Sequence, residues 1–518
     1  MKIAKFVMKY GILVLMVVGL FSISGAAQAE DNTLVFASAA EVRTMDPHIT
    51  MDNTAWRSIY YCYDRLVELV GGTTDIQPGL ATSWEVSEDK TKYTFNLREG
   101  IEFSDGTPFN AEAVKFNFDR LLDIGSAPSG LFKVVTNVEV IDEYTVEFTL
   151  DHPFAPFIKT LATNQASIVS PGIMEYEEDD DYAQDWLSAN TAGTGPFVLE
   201  SWERGRRMVL SKKEDYWGEL AKLDQVIIRF ISESSEIRML MERGEVDMST
   251  SLTIDQMEAM RGTEGIVIVE EPSFMCQYVY LNNQNEYLKH VKVRQAISYA
   301  VDYDGIIESL YRGHATQMRG PIPQGLSGHS EDVYQYHQDF DKARALLEAA
   351  GYEDGFSVEI MVSPTVPEWR KMATVIQDNL SNIGIDLEVR SYAWPTLRDK
   401  LDRGDFDMSF GYWTPDYPDA DMFTWYWFLS DNGGLAGNRS FYDNHVMDEL
   451  VTLERREVDT EKRMALFEGI QWIAVSDAPY IYLLQANHQV AMRDRVKGYE
   501  YNPMLLRMPN FNDISVSE

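Results

Sequence analysis

The stretch WTPDYPDADMFTWYWF, residues 413–428, sets seven aromatic side chains beside three aspartates. A core strand does not carry several carboxylates, because burying one without a partner is costly. A solvated loop does not usually carry three tryptophans. The composition suits the wall of a binding site, where rigid aromatic faces give contact area and a carboxylate holds a cation. One reading of Asp416 is a cap on a helix that starts before Met422. Asp419 and Asp421 read as turn or cap residues. Trp425 and Trp427 flank Tyr426, so one of them at most faces ligand.

Covalent chemistry is poorly provided for. The chain has no G-x-S-x-G, H-E-x-x-H, C-x-x-C or G-x-x-x-x-G-K-[ST] motif. GTGPF (193–197) lacks the third glycine of a dinucleotide fingerprint and precedes the strand-like FVLESW. The eight histidines are scattered, and His329 and His337 alone share a polar loop. The acidic run EYEEDDD (175–181) reads as a solvated loop, without the turn glycine of a calcium loop. No metal, cofactor or catalytic group is expected. Binding is the better class.

The elements that must position these residues read as mixed α/β. NTLVFAS (32–38) reads as a buried strand, and KYTFNL (92–97) and EYTVEFTL (143–150) alternate as half-buried strands do. Between the latter two, a turn at Asp105-Gly106 leads into helical spacing through Ala113, Phe116 and Leu121. Residues 288–313 read as a helix pair punctuated near Asp302–Asp304, and FDKARALLEAAGY (340–352) as a helix stopped by glycine. RMLMERGEVDMS (238–249) and TLRDKLDRGDFDMS (396–409) echo one another: each ends a helix at Arg-Gly and enters a strand through acidic-x-Asp-Met-Ser. The echo fits two α/β halves built on one plan, or a common helix stop repeated by coincidence.

At 518 residues the chain is long enough for about three domains. Its 45 basic against 82 acidic residues give a net charge of −37, which excludes nucleic acid and other polyanions as partners. MKIAKFVMK, then YGILVLMVVGLF, then SISGAAQAE has the charged, apolar, A-x-A order of a secretory signal, with cleavage expected after Ala29. No cysteine stands at that point to carry a lipid, so an exported, periplasmic protein is expected. Cys62 and Cys276 are the two cysteines, and their pairing is open at this stage.

PGLATSWEVSEDKTKYTFNLREGIEFSDGTPFNAEAVKFNFDR (78–120) resembles the signature block of the extracytoplasmic solute-binding proteins of peptide ABC importers, the dipeptide/oligopeptide/nickel group known as family 5. The resemblance continues through GTGPFVLESWERG (193–205), LNNQNEYLKHVKVRQAISYAVDYDGI (281–306), IQDNLSNIGIDLEVRSYAWPTL (376–397) and the 413–428 stretch. It implies an α/β clamshell of the type II-like periplasmic-binding-protein kind. Lobe I would comprise 30–58, 190–275 and 484–518, a small α/β domain inserted at 59–189 would extend it, and lobe II would comprise 276–483. The chain would cross between lobes near Ser273–Tyr278 and Leu483–Ala486.

In the family's oligopeptide binders an aspartate in Trp-x-x-Asp-Tyr receives the peptide ammonium, so the resemblance makes Asp416, between Trp413 and Tyr417, the anchor. Trp394 and Trp413 match tryptophans of the side-chain pockets, with Tyr412 beside them. TMDNTAW (50–56) matches a segment that pairs with ligand backbone, which brings in Met51, Asp52 and Thr54. Three features depart from the family. The arginine that dipeptide binders place before a proline is Ser363 here, and the basic residues between the pocket tryptophans of oligopeptide binders fall at Leu401, Asp402 and Phe410. A ligand carboxylate would then meet Arg370 or Lys371, or be left partly solvated. Cys276 matches one half of a family disulfide whose other half is Thr414. The implied function is capture of short oligopeptides by a monomer that delivers them to an inner-membrane ABC permease. The same role with an oligosaccharide or other polar cargo is the alternative, and an exported glycoside hydrolase the remote one.

Overall fold

The computed structural model describes residues 32–505 and 509–517; the leader expected at 1–29 lies outside them. An eleven-stranded mixed sheet runs through the molecule, and its centre is a pair of long antiparallel strands, Ile266–Leu281 and Tyr480–Arg493. On one side, Met248–Ser249 pairs with the far end of Tyr480–Arg493, followed by Thr33–Ser38, Gln225–Phe230, Arg207–Lys212 and Phe197–Glu203. On the other side, Met408–Trp413 pairs with the near end of Ile266–Leu281, followed by Phe356–Val362 and Ile385–Ser391. The two long strands are therefore shared by both halves. Their register slips between Pro272 and Met275 and again between Gln277 and Tyr278, within the segment expected to cross. Proline, which cannot donate to the ladder, sits at the first slip. There the buried Ser273 hydroxyl donates to the Ala486 carbonyl and the Gln485 amide to the Ser273 carbonyl, each at 2.6 Å, so backbone groups freed by the slip stay satisfied.

The sequence echo has a structural counterpart. Helices Ser234–Arg243 and Trp394–Arg403 end on Gly244 and Gly404, both in the left-handed conformation that glycine adopts without penalty. Asp247 then accepts the backbone N–H of Val35 at 2.9 Å, and Asp407 that of Glu359 at 2.9 Å. In each half the aspartate caps a residue of the strand Thr33–Ser38 or Phe356–Val362, which runs parallel to the strand the aspartate precedes. One short motif thus does the same job twice.

A separate antiparallel sheet, in the order Ala81–Val86, Lys92–Leu97, Thr145–Leu150, Val135–Asp142, forms within the segment read as an insertion. Tyr93, Phe95 and Leu97 point to its core face, where Phe148 meets Phe118 of helix Ala111–Ile124 with ring centroids 4.8 Å apart. Asn110 caps that helix by accepting the Ala113 N–H, and Gly125 stops it. The pairs Val291–Ala300 with Tyr303–Leu310, and Phe340–Ala350 with its Gly351 stop, form where their patterns place them.

Cys62 and Cys276 are both buried and both free thiols. Burial pushes both thiols up, that of Cys276 to about 12. The native protein is expected to leave both unreacted toward a thiol-specific disulfide reagent at pH about 8. Denaturation should expose both; rapid labelling of either in the native state would contradict this arrangement.

Candidate functional site

Asp416 follows the carboxyl end of Met408–Trp413, the side of an α/β sheet on which ligands bind. It faces a nearly closed cavity of about 20 Å³, room for about one water. Trp56, Lys159, Asn164, Gln165 and Pro418 contribute to the walls, so chain segments more than two hundred residues apart meet there. Asp416 has no hydrogen bond or ion pair among the described residues. It keeps some accessible surface, yet the protein around it desolvates the carboxyl and pushes it up to about 7. A cap on the helix Asp421–Phe428 is not its role: that helix has no side-chain cap.

Across the cavity, Asn164 Oδ1 and Gln165 Oε1 are buried and also without a partner. The Gln165 amide nitrogen donates to Met51 Sδ at 3.1 Å, which turns its oxygen away from Met51. Asp416, Asn164 and Gln165 therefore line one small space, and the buried side-chain oxygens of the last two have no hydrogen-bond partner. Lys159 does not fill the need, because its ammonium is 2.9 Å from Asp419 instead.

The loop that presents Asp416 is held by buried ion pairs. Asp419 accepts both arms of Arg463, at 2.7 and 2.8 Å, and Asp421 receives the Tyr417 hydroxyl and stands 3.6 Å from Arg455. Glu454 accepts from Thr424 at 2.8 Å and from Arg463 at 3.1 Å. Burial works to raise the Asp419 carboxyl, but Arg463 and Lys159 outweigh it and hold it well below the usual carboxylate range. Helices His445–Arg456 and Thr460–Asp477 supply Glu454, Arg455 and Arg463. The Arg455 guanidinium lies 3.7 Å over the Trp425 ring and 4.7 Å over Phe154, and its carbonyl accepts the Ala155 N–H at 3.0 Å. With Lys159–Asp419, these contacts tie residues 154–159 to the loop. Asp419 and Asp421 are thus more than turn residues.

The other sequence candidates divide. Trp413 is partly buried, its ring 5.7 Å from Trp427 and 6.5 Å from Tyr426. Trp394 opens the helix Trp394–Arg403, 5.9 Å from the buried Trp369, and Tyr412 is 42% exposed on the Trp369 side. Tyr417 is fully buried and gives its hydroxyl to Asp421, so it positions the loop from behind. Asp52 caps helix Asn53–Cys62 by accepting the Thr54 N–H at 2.9 Å. Asp52 and Thr54 line a separate open hollow with Arg43 and Arg204, so of that segment Met51, through Gln165, stands nearer the Asp416 cavity. Trp56 closes the quoted segment and lines the cavity itself. Lys159, Asn164 and Gln165 carry no sequence signal; KTLATNQAS is an ordinary loop composition.

Residues 75–434 match the family model described as bacterial extracellular solute-binding proteins, family 5 middle. The chain belongs to that family. It is 39% identical over 499 residues to the probable D,D-dipeptide-binding periplasmic protein DdpA of Escherichia coli K12, covering 96% of each chain. It is 30% identical over 523 residues to the dipeptide-binding protein of the same organism, covering 96% of this chain and 97% of the other. Among solved structures it matches the periplasmic binding protein DppA of Helicobacter pylori in complex with the peptide STSA, with TM-score 0.83 and 31% identity over 94% and 98% of the chains. The fold is therefore the periplasmic-binding-protein α/β architecture of family 5. Among the described residues no helix is long and apolar enough to cross a membrane, and no group of three metal-ligating side chains occurs.

Replacing Asp419 by Asn removes the counter-charge of Lys159 and one of the two carboxylates that meet Arg463, and should lower stability by about 3–5 kcal/mol in urea unfolding. Because the folded carboxyl is depressed, its contribution is present above the unfolded value near 4 and is lost as pH falls below it. Wild type should therefore lose its advantage over the variant below pH about 4.

Proposed function

We propose that this family 5 protein is the solute-binding component of an ABC importer that captures short peptides through their free ammonium group. The observation that carries the reading is Asp416, without a hydrogen bond or ion pair among the described residues, lining one cavity with Asn164 and Gln165, whose side-chain oxygens are buried without a partner. A peptide ammonium offers three N–H donors and one positive charge, which matches that set in number and sign. Trp394, Tyr412 and Trp413 serve as tolerant side-chain walls, and Met51 braces Gln165. Relatives named for dipeptides, and a solved neighbour holding a tetrapeptide, support a peptide cargo.

In this reading the chain is exported after cleavage following Ala29 and works as a monomer without catalysis or cofactor. Residues 30–58, 190–275 and 484–518 form lobe I, 276–483 form lobe II, and 59–189 the insertion. Closure about the register slips in the long strands brings Asn164 and Gln165 onto Asp416, and the closed form docks on the inner-membrane permease.

Titration calorimetry with trialanine and N-acetyl-trialanine tests the anchor. Asp416→Asn should cost about 2–5 kcal/mol of trialanine affinity, and wild type should reject the acetylated peptide by a similar margin. Equal binding of the two peptides would sink the reading.

Closure of the empty protein should also depend on pH. In an open, solvated site Asp416 ionises near its ordinary 3.8, whereas the enclosing protein raises it to about 7. Between those values closing takes up a proton, so lower pH favours the empty closed form. Small-angle scattering of ligand-free protein should show a more compact average at pH about 5 than at pH about 8, and Asp416→Asn should remove the difference. A compactness that does not change with pH would contradict it.

A further inference from the structure

A buried polar network stands behind the wall of the Asp416 cavity that Gln165 contributes. Asp46 accepts both arms of Arg120, at 3.1 and 2.6 Å, and the backbone N–H of His48 at 2.9 Å. Arg120 Nη1 also meets His48 Nδ1 at 2.8 Å, and Arg120 Nε donates to the Tyr182 carbonyl at 3.0 Å. All three side chains are buried. A guanidinium has donors only, so Nδ1 accepts and the imidazole hydrogen stands on Nε2. His48 Nε2 therefore donates to the Ser167 carbonyl, 3.2 Å away. The imidazole is neutral: burial first, and then Arg120, lower it from 6.5 to about 3, against the opposing pull of Asp46. Tyr63, which feels Asp46 and Arg120, and Asp181, which feels Arg120, are the other ionisable groups about this corner.

Two short chain segments are thereby joined at both ends. From His48 the chain runs three residues to Met51, whose Sδ receives the Gln165 amide at 3.1 Å. From Gln165 it runs two residues to Ser167, whose carbonyl receives His48 Nε2. Along the first segment, the Thr50 carbonyl accepts Trp56 Nε1 at 3.3 Å and the His48 carbonyl accepts the Ser126 hydroxyl. Helix Ala111–Ile124, which supplies Arg120, also exchanges two hydrogen bonds between Asn117 and the Val169 backbone, at 2.7 and 2.8 Å. Trp56 and Gln165 both line the Asp416 cavity. We infer that His48, held as the Nε2–H tautomer by Arg120 and Asp46, is a positioning residue that sets the place of the Gln165 amide at the ammonium site. The inference rests on the peptide reading above and adds to it a residue outside the cavity lining. A fixed tautomer suits the task, because an imidazole with its hydrogen on Nδ1 would meet Arg120 donor to donor and leave Ser167 unserved.

Nitrogen NMR of the full mature chain with isotopically labelled histidine reads the tautomer, and His48→Gln identifies the His48 signals by their loss. Wild-type His48 should show the Nε2–H pattern and keep it from pH about 8 down to about 5. An Nδ1–H pattern, or a midpoint near the ordinary 6.5, overturns the inference. Titration calorimetry with trialanine and N-acetyl-trialanine reads the positioning. His48→Asn keeps an acceptor for Arg120 but is too short to reach Ser167, whereas His48→Gln sets an amide donor near the place of Nε2. His48→Asn should shrink the preference for the free amine by about tenfold, and His48→Gln should restore it to within about threefold of wild type. Ser126→Ala, which frees the His48 carbonyl without touching the buried ion pair, should shift the same ratio in the same direction and serves if His48→Asn does not fold. A purely structural role lowers both affinities alike, so an unchanged ratio in the folded variant overturns the inference and leaves the ammonium reading intact. Wild type that binds both peptides equally overturns the two together.

Discussion

Burying a carboxylate without a partner costs free energy, and Asp416 has no ion pair among the described residues, while Lys159, Arg455 and Arg463 are engaged elsewhere. Lys159 and Arg463 belong to Asp419, and Arg455 lies against Trp425 beside Asp421. Had any of these turned to Asp416, the site would be satisfied without ligand. In the proposed reading the deficit stays in place until a guest brings donors and charge, and the same deficit makes empty closure costly. A ligand shifts the balance between open and closed forms only through contacts it makes better in one of them.

The supporting structure follows from that need. An anchor that must remain unpaired cannot hold itself in place, so the loop is secured one residue cluster away, through Tyr417, Asp419 and Asp421 on helices His445–Arg456 and Thr460–Asp477. The far wall, residues 154–165, reaches it through Lys159 and the Ala155–Arg455 backbone bond. Behind both runs the sheet with its two shared strands, whose slips at Pro272–Met275 and Gln277–Tyr278 interrupt an otherwise continuous ladder. The repeated Gly-x-x-Asp device ties a helix and two strands together in each half.

Local pattern made much of this legible. Alternation at Lys92–Leu97 and the glycine stop after Phe340–Ala350 depend on near neighbours in sequence, and they form as read. The Trp413–Asp416 motif could be recognised because its residues are adjacent. What sequence hides is what folding brings from afar. Asn164 and Gln165 matter through atoms left unpartnered, a property no residue type announces. Tyr417 belongs to the same motif as Asp416 yet turns into the core, since side chains in a loop diverge without a fixed period. Arg370 and Lys371, candidates for a ligand carboxylate, stand exposed on helix Pro367–Ser381 and do not line the Asp416 cavity.

The most direct measurement is mass spectrometry of the small molecules released when freshly purified protein is denatured. A cleft that closes over its guest carries it through purification, so the released material reports the natural cargo. The account predicts short peptides of mixed sequence, each with a free amino terminus. Hexose oligomers, or a single species lacking a primary amine, would contradict it, because neither supplies the cation that Asp416 is built to meet.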